Sequence, residues 1–199
     1  MIDLTDKTLI TEDDIRSAPN GAALRINARA LITPLAADLA RERHIQFERA
    51  AAETPRGRVA IGADHGGFEM KEALKPLLQD LGFEFQDFGT HSTEAVDYPD
   101  IAREVAIAVA KQRCDAGIMI DGAGIGSCMV ANKVRGVRAA MCYDEASARN
   151  SREHNGANVL TLGGKMISIE RMREIVRVWL ASELTEERHR RRVAKIEGG

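Results

Sequence analysis

The sequence predicts an α/β fold, a parallel sheet of five strands with helices on both faces. Three observations predict it. From residue 58 onward, short apolar runs alternate with longer segments whose apolar residues recur every three to four positions. Several runs, such as Val59-Ala60-Ile61 and Gly117-Ile118-Met119-Ile120, are unbroken and stop at a turn signal, as buried strands do. Polar or glycine-bearing segments follow three of them, at the strand ends where open α/β sheets bind ligands. Such alternation requires right-handed crossovers and helices on both faces. Residues 1–57 differ and read as an N-terminal extension and linker, with residues 58–199 as the main domain.

The elements follow in order. Thr11 reads as the cap of a first helix with Glu12, Asp13 and Asp14 in its first turn. Asn20-Gly21 is a turn, and residues 23–32 form a short strand. Thr33-Pro34 opens a second helix, with Thr as cap and Pro in the first turn. Residues 50–58 read as a linker around Thr54-Pro55-Arg56-Gly57. The extension has few large apolar residues, so it is expected to dock rather than bury a core of its own. In the main domain, strands are expected at 59–63, 83–88, 116–121, 137–142 and 159–162. Helices are expected at 68–81, 99–112, 127–134, 145–153, 167–180 and 186–196, the last strongly basic.

The chemistry concentrates at Asp121-Gly122-Ala123-Gly124-Ile125-Gly126-Ser127. Three glycines at alternate positions let the backbone turn tightly and approach a ligand. A strand, a glycine loop and a helix start gather N–H groups around one point, which suits a phosphate or a developing oxyanion. Asp121 at the strand end would repel a phosphate, but it is placed to act as a general base. The spacing is neither the dinucleotide fingerprint nor a Walker A loop. Taken alone, the loop also admits a lesser alternative, a tight strand–helix turn without chemistry. Asp64-His65 after the first strand and Arg152-Glu153-His154-Asn155 near the fourth helix are the other polar clusters.

Composition removes several classes. A net charge of −2 gives no basic field for nucleic acid, and 4% aromatic content gives no base-stacking platform. The cysteines Cys114, Cys128 and Cys142 are odd in number and lack metal-site spacing, so they read as reduced thiols. No apolar run approaches a membrane span and no signal peptide is visible, so a soluble cytoplasmic protein is the expectation.

Five motifs together resemble the ribose-5-phosphate isomerase type B and galactose-6-phosphate isomerase family, over about residues 58–196. They are Gly62-Ala63-Asp64-His65-Gly66-Gly67-Phe68; Asp97-Tyr98-Pro99; the glycine loop with Ala131-Asn132-Lys133; Arg152-Glu153-His154-Asn155; and Arg188-His189 with Arg192-Val193. The resemblance implies a Rossmann-like three-layer sandwich that needs no metal and no organic cofactor. It also implies a homodimer, or a dimer of dimers, with the active site between subunits. The family interconverts phosphorylated aldoses and ketoses through an enediolate. Carried over, Asp64 binds sugar hydroxyls and assists ring opening, and His65 faces the phosphate. His154 matches the ring-opening histidine and Asn155 the amide that holds the open chain. The N–H groups of Gly122, Ala123, Gly124, Ile125, Gly126 and Ser127 match the enediolate pocket. Arg188 and Arg192, one helical turn apart, match the phosphate clamp, and Arg152 a further phosphate-associated arginine.

The base departs from the pattern. One branch of the family carries Cys where this chain has Asp121, and another carries Glu where it has Ser127. Asp121 is the only carboxylate in the loop and is the expected base. The expected reaction is ribose 5-phosphate to ribulose 5-phosphate. The alternatives are another sugar phosphate, a hexose 6-phosphate or deoxy sugar, or a protein that binds sugar phosphates without turnover. Residues 1–49 resemble N-terminal stretches of some bacterial microcompartment enzymes, which implies a shell or cargo partner; a stabilising extension at the dimer interface is the equal alternative.

Overall fold

The computed structural model describes residues 1–28, 30–50 and 55–198. It separates into two compact units, Met1–Thr54 and Pro55–Gly199. Of the expected linker at 50–58, residues 51–54 lie outside the described residues.

The first unit contains β1 (Ile2–Leu4), β2 (Leu9–Ile10), α1 (Glu12–Ser17), β3 (Ala23–Ile26), β4 (Leu31–Ile32), α2 (Pro34–Glu42) and β5 (Gln46–Arg49). The caps are where the sequence puts them. Asp14 Oδ2 accepts from Thr11 N at 2.9 Å, and Thr33 Oγ1 accepts from Ala36 N at 3.2 Å. The single expected strand at 23–32 is two strands in two sheets: β1-β3-β5 and β2-β4, both parallel. The expectation that this segment lacks a core is corrected. Ile10, Ile15, Leu24, Ile26 and Ile45 are buried together with four alanines. Small residues fill the gaps between a few large ones, so a modest apolar count suffices.

The second unit contains β6 (Arg58–Ala63), α3 (Phe68–Asp80), β7 (Glu84–Asp87), α4 (Tyr98–Ala110), β8 (Ala116–Asp121), α5 (Ile125–Ala131), β9 (Ala139–Met141), α6 (Glu145–Glu153), β10 (Val159–Gly163), α7 (Ile169–Ala181) and α8 (Glu187–Ile196). The five strands form one sheet, ordered β7-β6-β8-β10-β9, with every pair parallel. Alternate residues face opposite layers. Val59, Ile61 and Ala63 of β6 join α3, α6 and α7 in one core. Ala60 joins α4 and α5 in the other. This is the three-layer sandwich. Trp179 is fully buried and donates from Nε1 to Ser151 Oγ at 3.2 Å, tying α7 to α6. Among the described residues, no helix is long and apolar enough to cross a membrane.

The register defines two edges. At the carboxyl edge, Gly163 of β10 stands beside Asp121 of β8, and Ala63 of β6 beside Ile120. At the amino edge, Asn158 accepts from Gly117 N and donates to Arg138 O. β10 has five residues, so the edges are separated by about 16 Å.

Candidate active site

Asp64, His65 and the glycine loop meet at the carboxyl edge. Asp64 follows β6 directly and is 7% exposed. Its Oδ1 accepts from Gly66 N at 2.8 Å and Gly67 N at 3.0 Å. Its Oδ2 has no hydrogen-bond partner among the described residues. The turn is tight because Gly67 lies against β8: a methyl group there would overlap the Ile120 carbonyl. Gly66 packs near Gly122 in the same way. His65 is exposed and accepts at Nδ1 from Val96 N at 3.4 Å. Tyr98 lays its ring against Gly126, a position where any side chain would collide with it.

Asp121, the expected base, is bonded into its own loop. It is 4% exposed, and Ser127 is fully buried. Its Oδ1 accepts from the N–H groups of Ala123, at 2.9 Å, and Gly124. Its Oδ2 accepts from Ser127 N at 3.0 Å and Ser127 Oγ at 2.5 Å. Four donors fill the four lone-pair positions of the carboxylate. The side chain therefore closes its own loop and, in this arrangement, has no lone pair with which to take a proton. The same bonds use up three of the N–H groups expected to face an enediolate. The N–H groups of Ile125 and Gly126, at the start of α5, have no acceptor among the described residues. Gly124 adopts a left-handed φ of 80° at the α5 cap, so the loop closes there through a glycine. Asn132, a motif residue, is structural: it donates to the Cys128 and Ala139 carbonyls and accepts from Ala139 N, pinning α5 to β9.

One functional candidate at this edge was not read from the sequence. Lys165 follows β10, and its backbone N–H donates to Gly122 O at 3.1 Å. A methyl group on Gly66 would sit 3.4 Å from Lys165 Cε, and one on Gly122 would sit 3.9 Å from Cδ. The side chain thus lies across both glycine turns, and no carboxylate pairs with its ammonium among the described residues. His65, Gly66, Lys165, Thr93 and Ser168 line a cavity of about 390 Å³. The N–H groups of Phe68 and Glu69, at the start of α3, have no acceptor among the described residues, and α3 is long enough for its dipole to favour an anion. The signal was the Gly163-Gly164-Lys165 turn after a strand, overlooked because a single lysine in a turn is ordinarily solvated.

His154 and Asn155 lie elsewhere. α6 begins after β9 at the carboxyl edge and runs about 13 Å back over the sheet in nine residues. His154 caps its far end, and Asn155 leads into the amino edge, where Gly156 O accepts from Arg138 Nε at 2.9 Å. His154 stacks on His189 of α8, ring centres 4.2 Å apart and planes 11° from parallel. Asn150 Nδ2 lies 2.9 Å from His154 Nδ1. Arg188 and Arg192 are exposed on α8, with Arg188 paired to Glu186. A cavity of about 550 Å³ opens here, lined by Arg149, Glu153, His154, Arg177, Glu183 and Glu186. Arg152, expected beside the phosphate, is engaged within the chain. Its guanidinium lies 4.7 Å above the Trp179 ring and donates to Ser182 O at 3.1 Å and Ala157 O at 2.6 Å. Burial pushes its pKa down.

One chain therefore carries the candidate residues in two separate groups. The carboxyl edge holds Asp64, His65, Lys165 and the glycine loop, while the amino-edge side holds His154, Asn155, Arg188 and Arg192. Among the described residues, no group of three or more His, Cys, Asp or Glu could hold a metal ion.

Residues 59–196 match the model of a family described as ribose/galactose isomerase. The chain is 42% identical over 139 residues to ribose-5-phosphate isomerase B of Escherichia coli, covering 70% of this chain and 93% of that protein. It is 40% identical over 126 residues to the D-erythrulose-4-phosphate isomerase of Pectobacterium atrosepticum, covering 63% and 83%. The solved structure of Clostridium thermocellum ribose-5-phosphate isomerase B superposes with a TM-score of 0.70 at 46% identity, covering 71% of this chain and 95% of that one. The family match lies wholly within the second unit.

Proposed function

The chain belongs to the ribose/galactose isomerase family, and on that premise we propose that it interconverts ribose 5-phosphate and ribulose 5-phosphate through an enediolate. The observation that carries this is the carboxyl edge itself. Asp64, a carboxylate with one oxygen unbonded among the described residues, stands at the same edge as a cavity lined by the His65 imidazole and the Lys165 side chain. Carboxylate chemistry moves protons between C1 and C2, and the cations hold the phosphate.

His65, Lys165 and the start of α3 are assigned to the phosphate, joined by Arg188 and Arg192 from α8. Asp64 Oδ2 is assigned the proton transfer, in place of Asp121. The Ile125 and Gly126 N–H groups are assigned to the enediolate oxygen. His154 opens the furanose ring, and Asn155 holds the open chain.

These assignments draw on both edges of the sheet, so a working site needs two copies of the chain. An exposed apolar patch supports that reading. Ile125 and Met129 of α5 are 47% and 64% exposed, and Tyr143 and Met166, on the loops after β9 and β10, are 46% and 63% exposed. Large exposed apolar groups beside a half-site mark an interaction surface, and a twofold pairing completes two sites at once.

Purified protein assayed against a panel of four-, five- and six-carbon aldose phosphates tests the substrate. Ketose formation fastest with ribose 5-phosphate supports the reading, and a preference for another chain length replaces it. Binding without exchange of the C2 proton would mean a sugar-phosphate-binding protein. Lys165→Met should raise KM about ten- to a hundredfold with a smaller change in kcat, the loss of one charged hydrogen bond to phosphate. An unchanged KM removes Lys165 from the clamp.

Residues 1–49, with their own core, suit a separately folded module better than a strap. We assign them a role in attaching the enzyme to a microcompartment shell or cargo. Co-purification of a reporter fusion with either checks it, and a fusion that stays free leaves the dimer extension.

A further inference from the structure

The ring-opening histidine is held by residues that the proposed roles leave unused. Asn155 Nδ2 lies 3.5 Å from Asn150 Oδ1, and Asn150 Nδ2 lies 2.9 Å from His154 Nδ1. In this geometry the Asn150 oxygen faces Asn155 and its NH₂ faces the imidazole. An NH₂ group can only donate, so His154 Nδ1 must accept. The ring hydrogen is then on Nε2. His189 is 4% exposed and stacks flat on one face of the His154 ring, and neither of its nitrogens has a hydrogen-bond partner among the described residues.

We propose that Asn150 and His189 are positioning residues that hold His154 as its Nε2–H tautomer, so that Nε2–H hydrogen-bonds the sugar ring oxygen as the furanose opens. In that step the bond from C1 to the ring oxygen breaks, C1 becomes the aldehyde, and the proton of the C1 hydroxyl passes to the former ring oxygen, which becomes a hydroxyl. This rests on the assignment of ring opening to His154. Asn150 selects the tautomer and His189 fixes the plane. A neutral imidazole acting as a hydrogen-bond donor to oxygen has a precedent in triosephosphate isomerase. Charge around the pair is mixed. Arg149, Arg152 and Glu153 belong to α6. Arg177 and Glu183 come from α7 and the loop after it. Glu186, Arg188 and Arg192 belong to α8 or its cap. Burial, with His154 and Arg188 nearby, pushes the His189 pKa below its ordinary value, while Glu186, 3.7 Å from Nε2, works against that. A neutral His189 stacks without charge repulsion.

Nitrogen-15 NMR of the imidazoles in the full-length protein reads the tautomer without turnover. The wild type should show a pyrrole-type Nε2 and a pyridine-type Nδ1 at His154. Asn150→Asp, which puts an acceptor in place of the donor, should turn the ring to Nδ1–H. Asn150 is exposed on α6, so Asn150→Leu should fold and give a tautomer mixture. Ring opening is measured by anomer exchange of ribose 5-phosphate on the enzyme. It should fall about tenfold in Asn150→Leu, the worth of one good hydrogen bond. Solvent exchange of the C1 protons of ribulose 5-phosphate, which is already open, should stay at the wild-type rate. A general structural defect would lower both. A wild-type Nδ1–H tautomer, or Asn150→Leu with normal anomer exchange, overturns the proposal. Normal anomer exchange in His154→Ala overturns the ring-opening assignment beneath it, whatever the tautomer.

Discussion

Asp64→Asn is expected to reduce turnover by roughly 10²- to 10⁴-fold, the range for loss of a general base, while leaving substrate affinity almost unchanged. The substitution is clean at this position. Asn Oδ1 can still accept from Gly66 N and Gly67 N, and the new NH₂ group takes the place of Oδ2, which meets no donor among the described residues. The turn survives and only the open lone pair is lost. The same change at Asp121 is not clean. An NH₂ group in place of Oδ2 would face Ser127 N and Ser127 Oγ, two donors that now have an acceptor. Asp121→Asn should therefore loosen the glycine loop and weaken the binding of an open-chain hydroxamate analogue along with turnover. Exchange of the C2 proton with solvent separates the two carboxylates. If Asp121→Asn binds the analogue normally yet exchanges no proton, the base is Asp121. In that case the Ser127 hydroxyl is the donor that must turn away, because it alone of the four can rotate without moving the backbone.

Much of this was legible in the sequence. Buried parallel strands read as unbroken apolar runs, and helix caps are local, so the sandwich and the caps at Thr11 and Thr33 followed from spacing alone. What was not legible was information that spacing does not carry. β1, β2 and β5 have two to four residues, too few for alternation to register. Asp121 in a glycine loop has the composition of a base, but whether its oxygens face a ligand or the N–H groups two to six residues ahead is a matter of side-chain direction. Arg152 sits in a recognisable motif, yet it is consumed by the Ser182 and Ala157 carbonyls and the Trp179 ring, contacts that form only when α6 and α7 pack. Lys165 was missed for the converse reason. In sequence it is one lysine after two glycines, and only the sheet brings it across Gly66 and Gly122.

Mixing two inactive variants should restore activity. Asp64→Asn damages the carboxyl-edge half-site and leaves His154 intact, while His154→Ala does the reverse. If the halves of one site came from one chain, every site in the mixture would contain a lesion and activity would remain at background. The topology argues otherwise. α6 carries His154 from the carboxyl edge about 13 Å back across the sheet. Asp64 stays at the end of β6, with the depth of a five-residue strand between them. In a twofold dimer of the two variants, one site receives both lesions. The other takes Asp64 from one copy and His154 from the second, with neither damaged. Co-refolding at equal amounts gives about half heterodimers, and half of their sites are whole, so about a quarter of wild-type activity should return. The homodimers of each variant remain inactive controls in the same preparation. Activity at background after verified subunit exchange would place both half-sites in one chain and require α6 to move when substrate binds. Recovery near a quarter would assign the site to the interface between copies, beside the exposed Ile125, Met129, Tyr143 and Met166.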